Sequence, residues 1–154
     1  MSQETPADPP QIVASIAHHV GYLRLENPSK YNALTQDMWQ SLPGKIDGLL
    51  EKDARVIVVE GLGANFCAGA DISEFSIVRR NEDTARYYEA ANAEAFSAIS
   101  AAPVPMIAKI RGYCLGGGFG IAAACDIRYA TSDATFSVPA ARLWHILLTP
   151  WLTS

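Results

Sequence analysis

Three consecutive glycines, Gly116, Gly117 and Gly118, stand between a short apolar run, Met106 to Ile110, and a small-residue segment, Ile121-Ala-Ala-Ala-Cys125. No other stretch restricts the fold as much. Glycine loses more conformational freedom on folding than any other residue, so a run of them marks a turn or a close approach of backbones. The apolar run reads as a buried strand and Ile121 to Cys125 as a buried helix, which makes the glycines a strand-to-helix turn. The first N–H groups of a helix have no intrahelical partner and lie at the positive end of its dipole. Such a turn can hold negative charge on a ligand. It can also serve tight turning and close helix packing alone, and a single Gly-rich turn does not decide between the two.

The rest of the chain alternates strands and helices. Ile12 to Ile16 and Val20 to Leu25 read as two strands joined at Ala17-His-His19. His18 and His19 at that turn suit a solvated surface, since no partner His or Cys lies nearby in sequence. Thr35 can cap a helix over about 36–53 whose apolar side is Met38, Trp39, Leu42, Ile46 and Leu49, with Pro43 inside it as a source of a kink. Arg55 to Glu60 is β-branched and suits a strand buried on both faces. A helix over about Asp83 to Ala101 carries a stripe of Tyr87, Tyr88, Ala91, Ala95, Phe96 and Ile99. Asp126 to Ala130 and Thr135 to Val138 read as further strands. Alternation of this kind gives an α/β fold.

Composition narrows the partners. A 49 % hydrophobic fraction is globular, and a net charge of −4 without a Lys/Arg run gives no electrostatic case for nucleic acid or an anionic membrane. Residues 1–10, MSQETPADPP, form an acidic, Pro-rich lead-in expected to be disordered; they are neither a secretory signal nor an Arg-rich transit peptide. With no apolar run of membrane-spanning length, the expected location is the cytoplasm. Cys67, Cys114 and Cys125 show no CxxC pair and no zinc spacing, so reduced, buried thiols are expected, and no metal.

A second loop almost without side chains, Cys67-Ala-Gly-Ala-Asp71, follows the strand at 55–60, as the glycine triplet follows that at 106–110. In parallel sheets ligands bind at the carboxyl ends of strands, where both loops lie. Two such loops could bring N–H donors from separate elements to one oxygen. Asn32-Ala-Leu-Thr, Asn65-Phe-Cys-Ala-Gly-Ala-Asp-Ile72, Gly112-Tyr-Cys-Leu-Gly-Gly-Gly-Phe-Gly, Cys125-Asp-Ile-Arg-Tyr-Ala and Phe136-Ser-Val-Pro together resemble the enoyl-CoA hydratase/isomerase (crotonase) family, in order and spacing, over about residues 12–143. The resemblance implies the crotonase-type spiral of ββα units over residues 11–143. It also implies an oxyanion hole from the N–H groups of Ala70 and Gly117, and an acyl-CoA thioester as ligand with no further cofactor. Lys30, Ala68, Asp71, Ile72 and Gly116 would lie against that ligand. Full-length relatives would be homotrimers or hexamers.

The chain departs from the family in two places. Hydratases of the family carry one glutamate where this chain has Gly120 and another where it has Ala140. Adding water to an enoyl thioester needs a group that delivers the water and protonates carbon, and neither residue can. Among nearby carboxylates, Asp71 and Asp126 suit capping or loop-fixing, and Glu74 is the least unsuited to acid or base work. After Leu143 the sequence becomes an apolar tail, 144–154, unlike the family, which continues with C-terminal helices. A truncated or frameshifted reading frame accounts for that tail, and family-like helices encoded downstream in another frame would be its mark. A silent acyl-CoA-binding or interaction protein, or a non-functional fragment, therefore stands beside the enzyme reading. Without those helices an apolar face of the spiral would be expected to reach solvent, a mark of interfaces and aggregation. Self-association is the expected outcome in size-exclusion chromatography at high concentration; a clean monomer there would count against it.

Overall fold

The hairpin at the start of the fold has a left-handed turn made without glycine. A computed structural model describes residues 7–138. Strand β1 (Gln11–Ala17) pairs antiparallel with β2 (Val20–Glu26), and His18 and His19 between them have φ of 51° and 64°. Positive φ at both central residues is the type I′ turn, whose twist matches that of the flanking strands. Both histidines are exposed, and His19 Nδ1 lies 3.1 Å from Asp53 Oδ2.

Strands β3 (Val56–Gly61), β4 (Met106–Ile110) and β6 (Ile127–Ala130) continue from β2 in parallel, giving the order β1-β2-β3-β4-β6. A smaller layer holds β5 (Tyr113–Leu115) parallel to β7 (Thr135–Ser137). Single parallel bridges extend that layer, Cys67 to Cys114 and Leu34 to Ala70. Each pass of the chain thus adds one strand to the large sheet and one extended segment to the small layer: β3 then residues 66–70, β4 then β5, β6 then β7. Helices separate the passes, which is the spiral of ββα units. The segment from Tyr113 to Leu115 reads in sequence as part of a turn because its pairing partners lie far along the chain.

Helix α1 (Gln36–Glu51) starts at Thr35, whose hydroxyl oxygen accepts from Met38 N at 3.2 Å, and runs on through Pro43. Its expected apolar side is its buried side. A 3-10 turn at Ile72–Glu74 and the short α2 (Phe75–Val78), neither legible in the sequence, precede α3 (Glu82–Ser100). Asn81 and Thr84 cap α3 reciprocally. Tyr88, Ala91, Ala95 and Ile99 are buried along it, but Tyr87 is 63 % exposed, because it sits one residue, about 100°, off that row. Helix α4 (Gly117–Ala124) begins inside the glycine triplet rather than at Ile121. Strand β3 buries Ile57 and Val59 fully while Val56 and Val58 on its other face are half-buried, so only one face is dry.

The core lies between the large sheet and α1 and α3, with Leu23, Leu25, Ile57, Val59, Met106 and Ala108 fully buried. All residues of β6 and β7 are exposed, among them Tyr129 at 65 % and Phe136 at 47 %. No helix among the described residues is long and apolar enough to cross a membrane. Residues 7–10 of the lead-in are exposed and without regular structure; the remainder of it, Ala140 and the tail from 144 lie outside the described residues.

One buried side chain joins the loops on the carboxyl side of the sheet. Asn32, 1 % exposed, accepts from Asn27 N at 3.0 Å and donates to Leu62 O at 2.9 Å and Asn65 O at 2.8 Å. Its own φ of 59° is one that asparagine tolerates better than most residues. Replacing it strands one backbone donor and two carbonyls. Asn32→Ala is expected to lower unfolding stability by about 2–3 kcal/mol, read from the shift of a urea transition; a change within about 0.5 kcal/mol would refute this role.

Candidate functional site

The loop at 66–71 is held on both sides by backbone. Cys67 N donates to Tyr113 O and Leu115 N to Cys67 O, both at 2.9 Å. On the other side Leu34 N donates to Gly69 O at 2.7 Å and Asp71 N to Leu34 O at 2.9 Å. Gly69, at φ 109°, allows this reversal. Ala70 N–H, between these bonded groups, donates to nothing among the described residues.

Gly117 is the first residue of α4, so its N–H has no intrahelical partner either. The two peptide groups are neighbours. A β-carbon placed on Gly117 would lie 3.9 Å from Ala70 N, and one on Gly69 would lie 3.7 Å from Gly117 N. A β-carbon on Gly118 would lie 2.4 Å from the Cys67 carbonyl oxygen, so α4 can approach the loop only with glycine there. The triplet therefore serves both readings left open by the sequence: close packing, and a bare helix N-terminus.

The two loops face a cavity of about 360 Å³. Ala68, Ala70, Ile72, Gly116 and Gly117 all line it, so five of the residues singled out in the sequence come together. Lys30 and Asp71 do not line it. Lys30 Nζ holds the Asp71 carboxylate at 3.0 and 3.1 Å and Ser73 Oγ at 2.6 Å. Burial alone would raise the Asp71 carboxyl; hydrogen bonds from Ser73 and Lys30 outweigh it and hold the group below its ordinary range. Asp71 also caps the 3-10 turn through Ser73 N. The clasp fixes the loop beside the cavity.

The other carboxylates are engaged elsewhere. Glu74 Oε2 accepts from Gln36 N at 2.8 Å, at the positive end of α1, and Asp126 Oδ2 accepts from Met106 N at 2.8 Å. Burial pushes the thiols of Cys67, Cys114 and Cys125 up to about 12, so they stay protonated and inert.

The position of Gly120 is filled. A β-carbon there would lie 2.7 Å from Cε1 and Cζ of Phe96. Phe96 meets Trp39 edge to face at 5.3 Å, and Trp39 Cζ2 lies 2.7 Å from where a Gly117 β-carbon would be. The two aromatic rings occupy the room that two glycines leave. Trp39, Phe96 and Tyr88 read in sequence only as core; Arg79 and Asn92 carry no sequence signal beyond Asn92 interrupting the row Tyr88, Asn92, Phe96. All five line the cavity.

Residues 15–147 match the sequence model of the enoyl-CoA hydratase/isomerase family. The chain is 33 % identical over 140 residues to the mitochondrial Delta(3,5)-Delta(2,4)-dienoyl-CoA isomerase of Homo sapiens, covering 82 % of this chain and 42 % of that protein. Its fold superposes with a TM-score of 0.82 on the crystal structure of an enoyl-CoA hydratase/isomerase family protein from Hyphomonas neptunium, at 37 % identity over 86 % of this chain and 52 % of that one. An enoyl-CoA hydratase from Thermoplasma volcanium superposes with a TM-score of 0.78 at 30 % identity, over 86 % and 52 % of the two chains. The chain spans about half the length of the relatives it matches. It belongs to the enoyl-CoA hydratase/isomerase family, and its α/β fold is the crotonase spiral.

Restoring an acid at position 120 meets the Phe96 ring. Gly120→Glu is expected to cost about 1–3 kcal/mol in a denaturant titration through overpacking, and adding Phe96→Ala is expected to return part of that loss. Equal stability of Gly120→Glu and the unaltered chain would show that the ring moves freely.

Proposed function

We propose that this chain binds an acyl-CoA thioester and holds its carbonyl oxygen against the N–H groups of Ala70 and Gly117, stabilising the enolate form of the thioester. The observation that carries this reading is the pair of neighbouring, unclaimed N–H groups at the wall of a cavity of about 360 Å³. Negative charge that grows on the oxygen meets two donors fixed in advance, one of them at a helix N-terminus. Each such donor contributes about 3 kcal/mol, roughly two orders of magnitude in rate, to a reaction that passes through an enolate. Gly116 lets the donors approach without a side chain between. The Ala68–Ile72 loop and Lys30, with Asp71 clasped to it, lie toward the CoA side. Membership of the family supports an acyl-CoA ligand.

Proton transfer is the part this site lacks. No Asp or Glu among the described residues lines the cavity, and the Phe96 ring fills the space beside Gly120. Hydration of an enoyl thioester by this chain is therefore slow at best. The same two facts favour a second reading, a catalytically silent acyl-CoA-binding protein. Isomerase, decarboxylase or hydrolase work would need an acid or base from elsewhere.

Purified protein incubated with crotonyl-CoA separates the two readings. The expected result is saturable binding in calorimetry with enoyl absorbance falling no faster than about 10³-fold below an ordinary enzyme rate. Turnover at an ordinary rate would overturn the inference drawn from Gly120, and no measurable binding of any acyl-CoA would remove both readings.

A further inference from the structure

Three buried side-chain polar atoms among the described residues make no hydrogen bond of ordinary geometry: Trp39 Nε1, which approaches the Tyr88 oxygen, Arg79 Nε and Asn92 Oδ1. They come from separate elements, Trp39 from α1, Arg79 from the end of α2 and Asn92 from α3. All three side chains line the same cavity of about 360 Å³. A buried polar atom without a partner costs about 1–3 kcal/mol, so native proteins carry few of them, and each calls for a reason. Three around one cavity share a reason if a ligand satisfies them.

Charge identifies that ligand. The Arg79 guanidinium stacks over Phe75 at 4.7 Å and over Tyr88 at 5.7 Å, and no carboxylate among the described residues lies within ion-pair distance of it. Of the acids near it in sequence, Glu82 pairs with Arg86 and Glu74 accepts from Gln36 N, and none pairs with Arg79 among the described residues. Arginine is the side chain whose planar fork fits a carboxylate in two parallel bonds. Trp39 Nε1 can only donate, and rotation of the Asn92 amide presents either its oxygen or its two N–H groups. Tyr88 stands one turn before Asn92 on the same row. Burial pushes its phenol above the ordinary range, while hydrogen bonding to its oxygen from Asn92 and Trp39 and the charge of Arg79 pull the other way.

We infer that the cavity selects acyl thioesters whose acyl chain bears a carboxylate, bound by Arg79 with Trp39 Nε1 and Asn92. This rests on the thioester reading above and names its substrate class. The oxyanion pair would take the thioester oxygen, and the Arg79 cluster the second acidic group. A plain aliphatic acyl chain would instead leave Arg79, Trp39 and Asn92 unpartnered beside it.

Calorimetric titration with succinyl-CoA and glutaryl-CoA, against butyryl-CoA and valeryl-CoA of matched chain length, reads the preference. At least one diacid ester is expected to bind about tenfold or more tightly than its monoacid match. Arg79→Met is expected to abolish that preference while monoacid binding persists, and Arg79→Lys to keep part of it. Asn92→Leu leaves the stacking of Arg79 intact and is expected to weaken diacid binding several-fold, which keeps the test alive should Arg79→Met not fold. Equal or tighter monoacid binding by the unaltered protein, or a preference that survives Arg79→Met, overturns the inference. If the monoacid esters also fail to bind, the thioester reading itself falls and this one with it, so the two failures are distinguishable.

Discussion

Helix α4 can begin where it does only because nothing but hydrogen stands between Gly118 and the Cys67 carbonyl, 2.4 Å from where a β-carbon would be. That contact joins the two halves of the site. Cys67 is also the residue through which the 66–71 loop pairs with β5, so the helix N-terminus and the loop share one anchor. On the loop's far side, Leu34 bonds both neighbours of Ala70 and leaves the Ala70 N–H turned out of that pairing. The positions of Ala70 and Gly117 relative to each other are consequences of backbone pairing and of one missing side chain. Side-chain flexibility has little part in them. A donor pair held in this way loses no entropy when charge appears, which is the condition for electrostatic stabilisation to be worth more than in water.

The same economy of side chains sets the limits of the site. Glycine at 117 and 120 lets Trp39 and Phe96 come against α4, and the rings then meet each other edge to face. Aromatic packing of this kind contributes about 1 kcal/mol beyond burial. It also occupies the volume that a glutamate at position 120 would need. An acid at position 120 would therefore have to displace the Phe96 ring. What remains is a cavity wall with two neighbouring, unclaimed N–H groups and no carboxylate among the described residues that line it.

Much of this was legible in the residues, for physical reasons that differ from one element to another. Helix α1 announced itself because Thr35 caps it and Met38, Trp39, Leu42, Ile46 and Leu49 fall at helical spacing. The hairpin and β4 followed from short apolar runs between turn residues. The spiral, and the convergence of Ala70 with Gly117, came from the family resemblance, since no local pattern reports that Cys67 pairs with Cys114. Strand β5 and the turn at Ile72–Glu74 stayed hidden because three residues are too few to show a period, and both are held by distant partners. Tyr87 was misplaced on the apolar stripe because composition along α3 cannot resolve a one-residue rotation. Lys30 and Asp71, placed against a ligand from the sequence, are found gripping each other. The Phe96 ring beside Gly120 has no sequence signature at all.

Asn92 shows why the polar side of the cavity was harder to read than the bare one. Glycine and alanine loops advertise themselves by composition, whereas a lone Asn in an amphipathic helix reads as a solvated position. Only folding reveals that its Oδ1 is buried without a hydrogen bond of ordinary geometry, and that Trp39 Nε1 and Arg79 Nε share that condition around the same cavity. Stability alone would favour their replacement by apolar groups of similar size, because an unpaired buried donor costs more than it returns. The two walls of the cavity are therefore unlike in kind. One is backbone, bare and fixed by strand pairing; the other is side chain and carries a cation with no carboxylate beside it among the described residues.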